Sequence, residues 1–446
     1  MSISKVRLLY AVSFLDLFAC SLAIPLLSSH LRSLGASHFT IGVLSSMYAG
    51  LQLLSGPIIG SWSDIRGHCF VLQLSLIACS FLYFILGAAT AIPIIILPRI
   101  GLGVMKHTQA LCRTLLTDVV PSKDQLAVQG RLVSFGAVGF IVGPAIGGHM
   151  AELDGGFYYV CVAVMIFFWI NYGIVYFFLS DIRNEHRGDK KSDTYSHNEG
   201  NVLEEYDYQI SVKSEFPGIK VNNNVKDNAA VINSSTRNAL SEVLQAVTNL
   251  SRINWPVYWD VFALKFLLGF SQAIHYQNFT LILKDMYDIT PKWIGYTISL
   301  QGFVGAMTGF IAEWISKFYK NDENNFHRTL HGFIVLSISF MCISFAPSLM
   351  FVVIYLIPLS ASASLLRITT SEIIMQRTPP NQRGSLIGSG QSMSSVARML
   401  APLCSGIAYD MFSFHGLSIL KISSAFLATF LTAFLVSSSK IIKKRD

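Results

Sequence analysis

The stretch Gly60-Ser61-Trp62-Ser63-Asp64-Ile65-Arg66-Gly67-His68 is a short polar turn between two long apolar runs. The runs cover 39–60 and 70–90, and each is long enough to cross a hydrocarbon core of about 30 Å as a helix. Gly67 tolerates the tight backbone that a reversal between them needs. The pattern predicts a helical hairpin that crosses a membrane twice.

The carboxylate of Asp64 has two interpretations. It can accept backbone N–H groups at the start of another helix, where the helix dipole favours negative charge, and so latch one half of the molecule to the other. Alternatively, the stretch is an ordinary charged turn that retains the loop in the cytoplasm. The candidate gating residues are Gly60, Asp64, Arg66 and Gly67.

Composition restricts the class of protein before any motif does. Hydrophobic residues make up 52% of the chain and charged residues only 13%, which is typical of polytopic membrane proteins. The seven cysteines lie in or beside apolar runs without paired or metal-like spacing, so neither disulfides nor a metal site is predicted.

The apolar runs predict twelve membrane-spanning helices in two groups of six, an all-α fold. The runs are 6–28, 39–60, 70–90, 92–117, 130–150, 157–179, 257–282, 293–315, 329–346, 349–375, 385–408 and 417–438. Most lysines and arginines of the short connections fall on one side, together with the basic tail at 440–445. By the positive-inside rule both termini are cytoplasmic, while the sequence leaves plasma membrane or endomembrane open.

A polar segment separates the two groups of helices. The sequence predicts a first six-helix bundle over 1–180, a cytoplasmic linker over 181–256 and a second bundle over 257–446. The linker is rich in Asn, Ser, Asp, Glu and Lys, which is typical of disorder. Within it, apolar residues at helical spacing over 237–247 predict a short amphipathic helix.

The two bundles resemble duplicates. An offset of 258 residues places Pro121, Gly130, Pro144 and Gly148 on Pro379, Gly388, Pro402 and Gly406. An offset of 249 places Gly60 and Asp64 on Gly309 and Glu313. Duplicated six-helix units occur in transporters, which bind substrate near the bilayer midplane between the repeats.

Small residues form a stripe along the fifth predicted helix, and its candidate seam residues are Gly139, Gly143, Pro144, Gly147 and Gly148. In lipid, such stripes are the expected interface between closely packed helices. The stripe therefore predicts close contact with another helix, and simple packing is one interpretation of it.

The fourth predicted helix carries Arg99, Lys106 and Arg113 at seven-residue spacing, with His107 beside them. The spacing places the three cations on one face of a continuous helix. A charge at a helix centre costs about 3 kcal/mol, so this face cannot contact lipid. It lines a wet cavity or pairs with acids, and Arg113 has the further alternative of pairing with Asp118 at the edge.

Asp16 lies midway along the first predicted helix. Burial favours a neutral carboxyl group and a neighbouring cation favours the carboxylate. Asp16 is therefore either a proton carrier or a static partner of Lys106 or Arg99. In the second bundle the candidates for the substrate and proton pathway are Lys265, His275, Arg367, Glu372 and Arg398. Among these, Arg398 is a candidate partner for Glu372, and His275 has the alternative role of a packing residue.

Several of these stretches resemble the major facilitator superfamily. Gly60-x-x-x-Asp64-x-x-Gly67 is similar to its motif between helices 2 and 3, Arg99-x-x-x-Gly103 to its helix 4 motif, and the Gly139 to Gly148 stripe to its helix 5 antiporter motif. The family's basic residues around the first motif are replaced by Ile65, His68 and Cys69.

A finer resemblance is to the orphan subgroup called major facilitator superfamily domain-containing protein 9. It rests on Phe14-Leu15-Asp16-Leu17-Phe18, Leu34-Gly35-Ala36-Ser37, Lys106-His107-Thr108 and the stretch 152–158. The superfamily resemblance implies alternating access. Its helix 5 motif implies a tight seam between the glycine stripe and a helix of the opposite bundle, which is associated with antiport.

We therefore expect a secondary transporter of a small organic solute, proton-coupled and of the antiporter type, with the cationic fourth helix favouring an anion. A membrane receptor or scaffold that retains the fold is the alternative, with the linker as its interaction segment. No nucleotide-binding loop or nucleophile elbow occurs, so no enzyme activity, cofactor or metal is predicted. The expected partners are the solute, protons and the lipid bilayer, not nucleic acid, and a monomer is expected to suffice.

Overall fold

The computed structural model describes residues 2–121, 124–179, 255–319, 322, 324–378 and 383–443. Throughout these residues the regular structure is helical. The predicted linker lies almost entirely outside the described residues, and so does the predicted amphipathic helix at 237–247.

The first half of the chain contains seven helices. They are α1 Ser2–Ser33, α2 His38–Arg66, α3 His68–Ala88, α4 Ile92–Met105, α5 Thr108–Val119, α6 Gln125–Ala151 and α7 Gly156–Ile174, which continues as a π-helical turn over Val175–Leu179. The second half contains α8 Trp255–Tyr287, α9 Pro291–Lys317, α10 Phe326–Ser344, α11 Leu349–Arg377 and α12 Arg383–Lys443.

Ten described helices are long and apolar enough to span a membrane. The apolar part of α12 covers 51 residues, or about 75 Å of helix at 1.5 Å per residue, more than twice the thickness of a hydrocarbon core. Ser413 interrupts it with a non-helical backbone (φ 52°, ψ −144°), so α12 makes two crossings. Helices α4 and α5 together make one. The described helices thus make twelve crossings, which confirms the fold class predicted from hydropathy.

Local signals explain where α2 begins and ends. The hydroxyl of Ser37 accepts a hydrogen bond from the backbone N–H of Thr40 at 3.1 Å and caps the first turn. At the other end, Gly67 adopts φ 97° and donates its N–H to the carbonyl of Ser63 at 2.8 Å. A positive φ of this kind favours glycine, so the chain turns directly into α3.

Each half has its own apolar core. In the first half Leu72, Leu76 and Phe168 are at most 1% exposed and belong to one cluster. In the second half Phe333 and Phe340 are fully buried in another. Each half therefore packs largely against itself, and the contacts between the halves are confined to a few helices.

Two helix–helix interfaces between the halves, α6–α9 and α2–α12, are called seams here. In each of them a glycine packs against the carbonyl of a proline. A Cβ added to Gly295 on α9 would overlap the carbonyl oxygen of Pro144 on α6. A Cβ added to Gly42 on α2 would overlap the carbonyl oxygen of Pro402 on α12. Pro144 and Pro402 are the residues matched at the offset of 258, so the two seams are copies of one contact.

The halves meet at one end of the bundle and are apart at the other. We call the end with the α1–α2 and α8–α9 connections the distal end, and the opposite end the terminal end. Both seams lie towards the distal end, where Gly148 packs on Pro291 and Gly406 on His38. At the terminal end of the same four helices, no described atom lies within 4 Å of a Cβ on four glycines: Gly60, Gly130, Gly309 and Gly388. The structure is thus closed at the distal end and open at the terminal end.

Candidate functional site

The fourth crossing is broken in its middle, between α4 and α5. Lys106 (φ −79°, ψ 71°) and His107 (φ −119°, ψ 18°) leave the helical conformation. Side chains of neighbouring helices satisfy the carbonyls at the break: Ser75 donates to Met105 O at 2.5 Å and Gln52 to Lys106 O at 3.0 Å. The expectation of a continuous helix with Arg99, Lys106 and Arg113 on one face is therefore wrong, because the break rotates the second part relative to the first.

The break presents the ammonium of Lys106 to Asp16 of α1, and the two form a buried ion pair. Asp16 is fully buried and the Lys106 side chain is 9% exposed. Gln109 donates to the second carboxylate oxygen at 2.9 Å and to the carbonyl of Ser13 at 3.1 Å. Lys106 Nζ also lies 5.1 Å from the centre of the Phe168 ring. Of the alternatives left open for Lys106, the structure has the paired acid and not the wet cavity.

His107 is buried beside this pair. Its Nε2 lies 2.8 Å from the hydroxyl of Ser55 on α2, and Ser55 also donates to the carbonyl of Gly103 at 3.2 Å. The hydroxyl accepts from Nε2 in one tautomer of the imidazole and donates to it in the other. The side chain therefore holds α5 against α2.

Arg99 lies apart from the ion pair, on Tyr48 of α2. Its guanidinium carbon is 4.4 Å from the centre of the Tyr48 ring, and its Nε is buried without a hydrogen-bond partner. Arg398 of α12 lies within electrostatic range of the same phenol and is exposed. Tyr48 thus has one arginine from each half near it, close to the α2–α12 seam.

Lys265, Arg367 and Arg398 of the second half are among the cations that have no carboxylate partner in the part of the chain that the structure describes. Each donates to a serine hydroxyl instead: Lys265 to Ser371 at 3.1 Å, Arg367 to Ser364 at 3.2 Å and Arg398 to Ser395 at 2.9 Å. Lys265 is half-buried, and Arg367 is exposed. A hydroxyl does not neutralise a cation, so these positive charges remain available to a ligand.

Two acids of the second half, Glu372 and Asp260, are already paired with arginines. Glu372 forms an ion pair with the buried Arg328 of α10 and not with Arg398, which corrects the partner considered from the sequence. Asp260 accepts two hydrogen bonds from Arg377, at 2.7 and 2.9 Å. Both pairs lie at the terminal end of the second half.

At the terminal end of the first half, Asp64 is 66% exposed and its described partner is His68, 3.6 Å away. The same His68 nitrogen lies 3.7 Å from Asp118 at the end of α5. No described contact joins Asp64 to a helix of the second half, since this end is open. Arg113 is exposed. His68 is one of the residues that depart from the family pattern, and here it links the α2–α3 turn to the broken fourth crossing.

The small residues of α6 face two neighbours. Gly139, Gly143 and Gly147 pack against α1, where an added Cβ would contact Phe14, Ser21 or Leu22. Pro144 and Gly148 instead face α9 of the opposite half. The stripe therefore serves both alternatives considered from the sequence, packing within one half and the seam between the halves.

The residues that complete these sites escaped the sequence analysis. Gln109, Gln52 and Tyr48 are neutral, and no charge in an apolar run marks them. Lys421 of α12 is 2% exposed. Its charge near the start of an apolar run is the signal that could have identified it. In the part of the chain that the structure describes, no group of three or more His, Cys, Asp and Glu side chains could hold a metal ion.

Twelve crossings in two duplicated halves are the architecture of a polytopic membrane transporter. The general model of the Major Facilitator Superfamily matches residues 9–402, and the chain belongs to that superfamily. Because the match concerns the superfamily as a whole, the finer resemblance to the domain-containing protein 9 subgroup stays a prediction.

Similar proteins are transporters of the solute carrier and efflux types. The chain is 23% identical to human solute carrier family 67 member A1 over 416 residues, 92% of this chain and 87% of the relative. It is 33% identical over 170 residues to the class D tetracycline resistance protein of Salmonella ordonez, covering 35% of this chain and 42% of that one.

Solved structures share the fold. One is the human organic anion transporter MFSD10, at 17% identity and a TM-score of 0.62, covering 96% of this chain and 98% of that chain. Another is a bacterial homologue of the human lysosomal transporter Spinster in an inward-facing, occupied conformation. It is 12% identical, has a TM-score of 0.69 and covers 98% of this chain and 96% of that chain.

Proposed function

We propose that this transporter exchanges a small organic anion for protons by alternating access. The observation that carries the proposal is that Arg99 and Arg398, which form no ion pair among the described residues, both lie near Tyr48 close to the α2–α12 seam. Each half contributes one arginine. A bound anion would therefore contact both halves at once, as alternating access needs.

The charge balance of the described residues supports an anion over a cation. The acids Asp16, Asp260 and Glu372 already hold cations of the protein. An organic cation would have to displace one of these partners, whereas an anion finds guanidinium groups with free donors. Guanidinium also matches carboxylate, phosphate or sulfonate oxygens as a bidentate donor. MFSD10, an organic anion transporter with the same fold, agrees with this choice.

In this proposal Asp16 is the proton site. Its ion pair with Lys106 is buried in the conformation in which the fourth crossing is broken between α4 and α5. Protonating Asp16 would remove the attraction to Lys106 and leave the ammonium with the hydroxyl of Thr108, 3.5 Å away. A proton therefore changes the contact that positions the broken crossing, and so couples proton binding to the conformation of the first half.

The test is transport in liposomes that contain the purified full chain, a pH-sensitive dye and an imposed proton gradient. Separate pools of radiolabelled organic anions, organic cations and sugars are offered. We expect proton movement only with an anion pool. Arg99→Gln and Arg398→Gln should each raise the half-saturating concentration at least tenfold, while the exposed control Arg7→Gln leaves it unchanged.

A second comparison separates coupling from binding. Asp16→Asn should abolish proton movement and retain exchange of labelled for unlabelled anion. If Asp16→Asn alone prevents folding, the double variant Asp16→Asn with Lys106→Gln, which neutralises both members of the ion pair, is used instead. Movement of a cation or sugar pool alone would contradict the anion proposal, and anion flux indifferent to the gradient would contradict coupling. No flux in a well-folded sample would favour the receptor alternative, which a variant without the linker then tests.

A further inference from the structure

The interior of the second half contains a buried lysine that the transport proposal does not use. Lys421 lies in the part of α12 after Ser413 and is 2% exposed. Its Nζ lies 5.9 Å from the ring centres of Phe340 and Phe414. Among the described residues, no carboxylate forms an ion pair with it. A buried charge without a partner is costly, so this lysine either loses its proton or takes a group of opposite charge from outside the chain.

A histidine of α8 shares the surroundings of Lys421. His275 is 2% exposed, and its Nε2 is buried without a hydrogen-bond partner. Gln301 of α9 approaches the ring, and both polar atoms of its amide lack partners as well. Buried polar atoms are nearly always satisfied in native proteins, by protein groups, water or a ligand. Several unsatisfied groups in one region therefore point to an occupant.

A small cavity lies between these helices. Its volume is about 10 Å³, and His275, Phe279, Ile343, Val352, Phe414 and Lys421 are among its lining residues. This space holds one occupant of about the size of a water molecule. The phenol of Tyr287, the other polar group of the lining, already donates to the carbonyl of Ala346 at 2.7 Å. The walls therefore offer the donors of Lys421 and His275 and otherwise apolar side chains.

The balance of donors and acceptors selects the occupant. An ammonium has three donors and no acceptor, and a neutral imidazole offers a donor through its protonated nitrogen. Water would satisfy these donors but leave the positive charge uncompensated, whereas a monatomic anion does both. The volume excludes an organic anion, so this cavity is distinct from the arginine pair at Tyr48.

We propose that Lys421 and His275 bind one small inorganic anion of the halide class in the interior of the second half. The anion supplies the negative charge that the protein itself does not place there. It contacts α8 and α12 together, and so holds the last crossing of the chain to the core of its half. This site is independent of the transported solute.

The experiment measures thermal unfolding of the purified full chain in detergent. Sodium gluconate is replaced stepwise by fluoride, chloride, bromide or iodide at constant ionic strength. A ligand that binds only the folded protein raises the unfolding temperature with saturation. We expect a saturable rise of about 2 °C or more with chloride, and a weaker response to iodide, because the cavity is small.

Variants assign the effect to the site. Lys421→Met removes the charge at similar volume and should abolish the chloride response, whereas the control Lys284→Met, at an exposed position of the same α8 that carries His275, should retain it. His275→Asn should lower the apparent affinity severalfold. A response that survives in Lys421→Met, or the absence of any saturable halide response in the wild type, overturns the proposal.

If Lys421→Met does not fold, the wild type alone provides a test. Crystals grown with bromide locate the ion by its anomalous scattering. A bromide peak between the α8 and α12 side chains supports the site, and bromide peaks found only elsewhere overturn it.

Discussion

Replacing Gly295 by alanine should open the distal end of the molecule. The added Cβ would overlap the carbonyl oxygen of Pro144 and lie 2.9 Å from its carbonyl carbon. The obstacle is backbone of α6, which no side-chain rotation moves, so the two helices must separate. Overpacking of this kind costs about 1–3 kcal/mol, and a backbone obstacle places it in the upper part of that range.

The expected change in population follows from this cost. Alanine also favours the helix over glycine by about 1 kcal/mol, but that gain is the same in every conformation with an intact α9. The cost of the overlap applies only while the seam is closed. About 2–3 kcal/mol changes the ratio of closed to open molecules by roughly 30- to 150-fold, since 1.4 kcal/mol is tenfold. A protein that is closed in 99 of 100 molecules would become a mixture.

The control lies on the same helix. Gly309 has no described atom within 4 Å of an added Cβ, so Gly309→Ala gains the same helix propensity without an overlap. Spin labels at Ser33→Cys and Met411→Cys, two exposed positions at the distal end, report the separation of the halves. They require the seven native cysteines to be replaced first. The distances should lengthen in Gly295→Ala and not in Gly309→Ala. Equal distributions in the two variants would refute the reasoning.

Three further predictions concern contacts elsewhere. Gln52→Leu leaves the carbonyl at the break without its donor and should lower the free energy of unfolding by about 1–3 kcal/mol, measured by denaturant titration in micelles. Arg328→Met leaves the half-exposed Glu372 without its partner, whereas Glu372→Gln leaves the buried guanidinium of Arg328 without its counter-charge. Glu372→Gln should therefore lower the unfolding temperature more than Arg328→Met. The reverse order would contradict the burial argument. Tyr296→Phe removes the 2.6 Å hydrogen bond to His149 across the α6–α9 seam and should shift the spin-label distances in the direction of Gly295→Ala, but less.

Hydropathy and repeated Gly and Pro residues predict the twelve crossings and the similarity of the seams. They suffice because a helix that crosses lipid must satisfy its own backbone and present apolar side chains. The Pro144 and Pro402 match is visible in the sequence, and the structure shows both in the same contact. The offset does not determine which helix each glycine contacts. Three of the stripe's glycines face α1, because small residues permit close approach to any helix.

The break in the fourth crossing could not be predicted from its own residues. Neither glycine nor proline stands at Lys106 or His107, and the carbonyls there are satisfied by Gln52 and Ser75 from distant parts of the chain. For Asp16 the sequence limits the partner to Lys106 or Arg99 without choosing between them, and for Glu372 it suggests the wrong arginine. Spacing along one helix does not determine which cation of another helix an acid meets. A lysine close to the start of an apolar run, like Lys421, resembles the interfacial lysines that extend to water.

The residues of α2 that contact the rest of the molecule lie within a short distance of one another. Gly42 contacts α12 of the opposite half, while Gln52 and Ser55 hold the broken crossing. These positions span about 20 Å of one helix at 1.5 Å per residue. We expect a perturbation that favours one arrangement of the seam to change the stability of the buried Asp16–Lys106 pair as well. If the seam and the pair are coupled in this way, thermodynamic reciprocity gives the converse: protonation of a single buried carboxyl group alters how readily the distal end opens, by the same free energy.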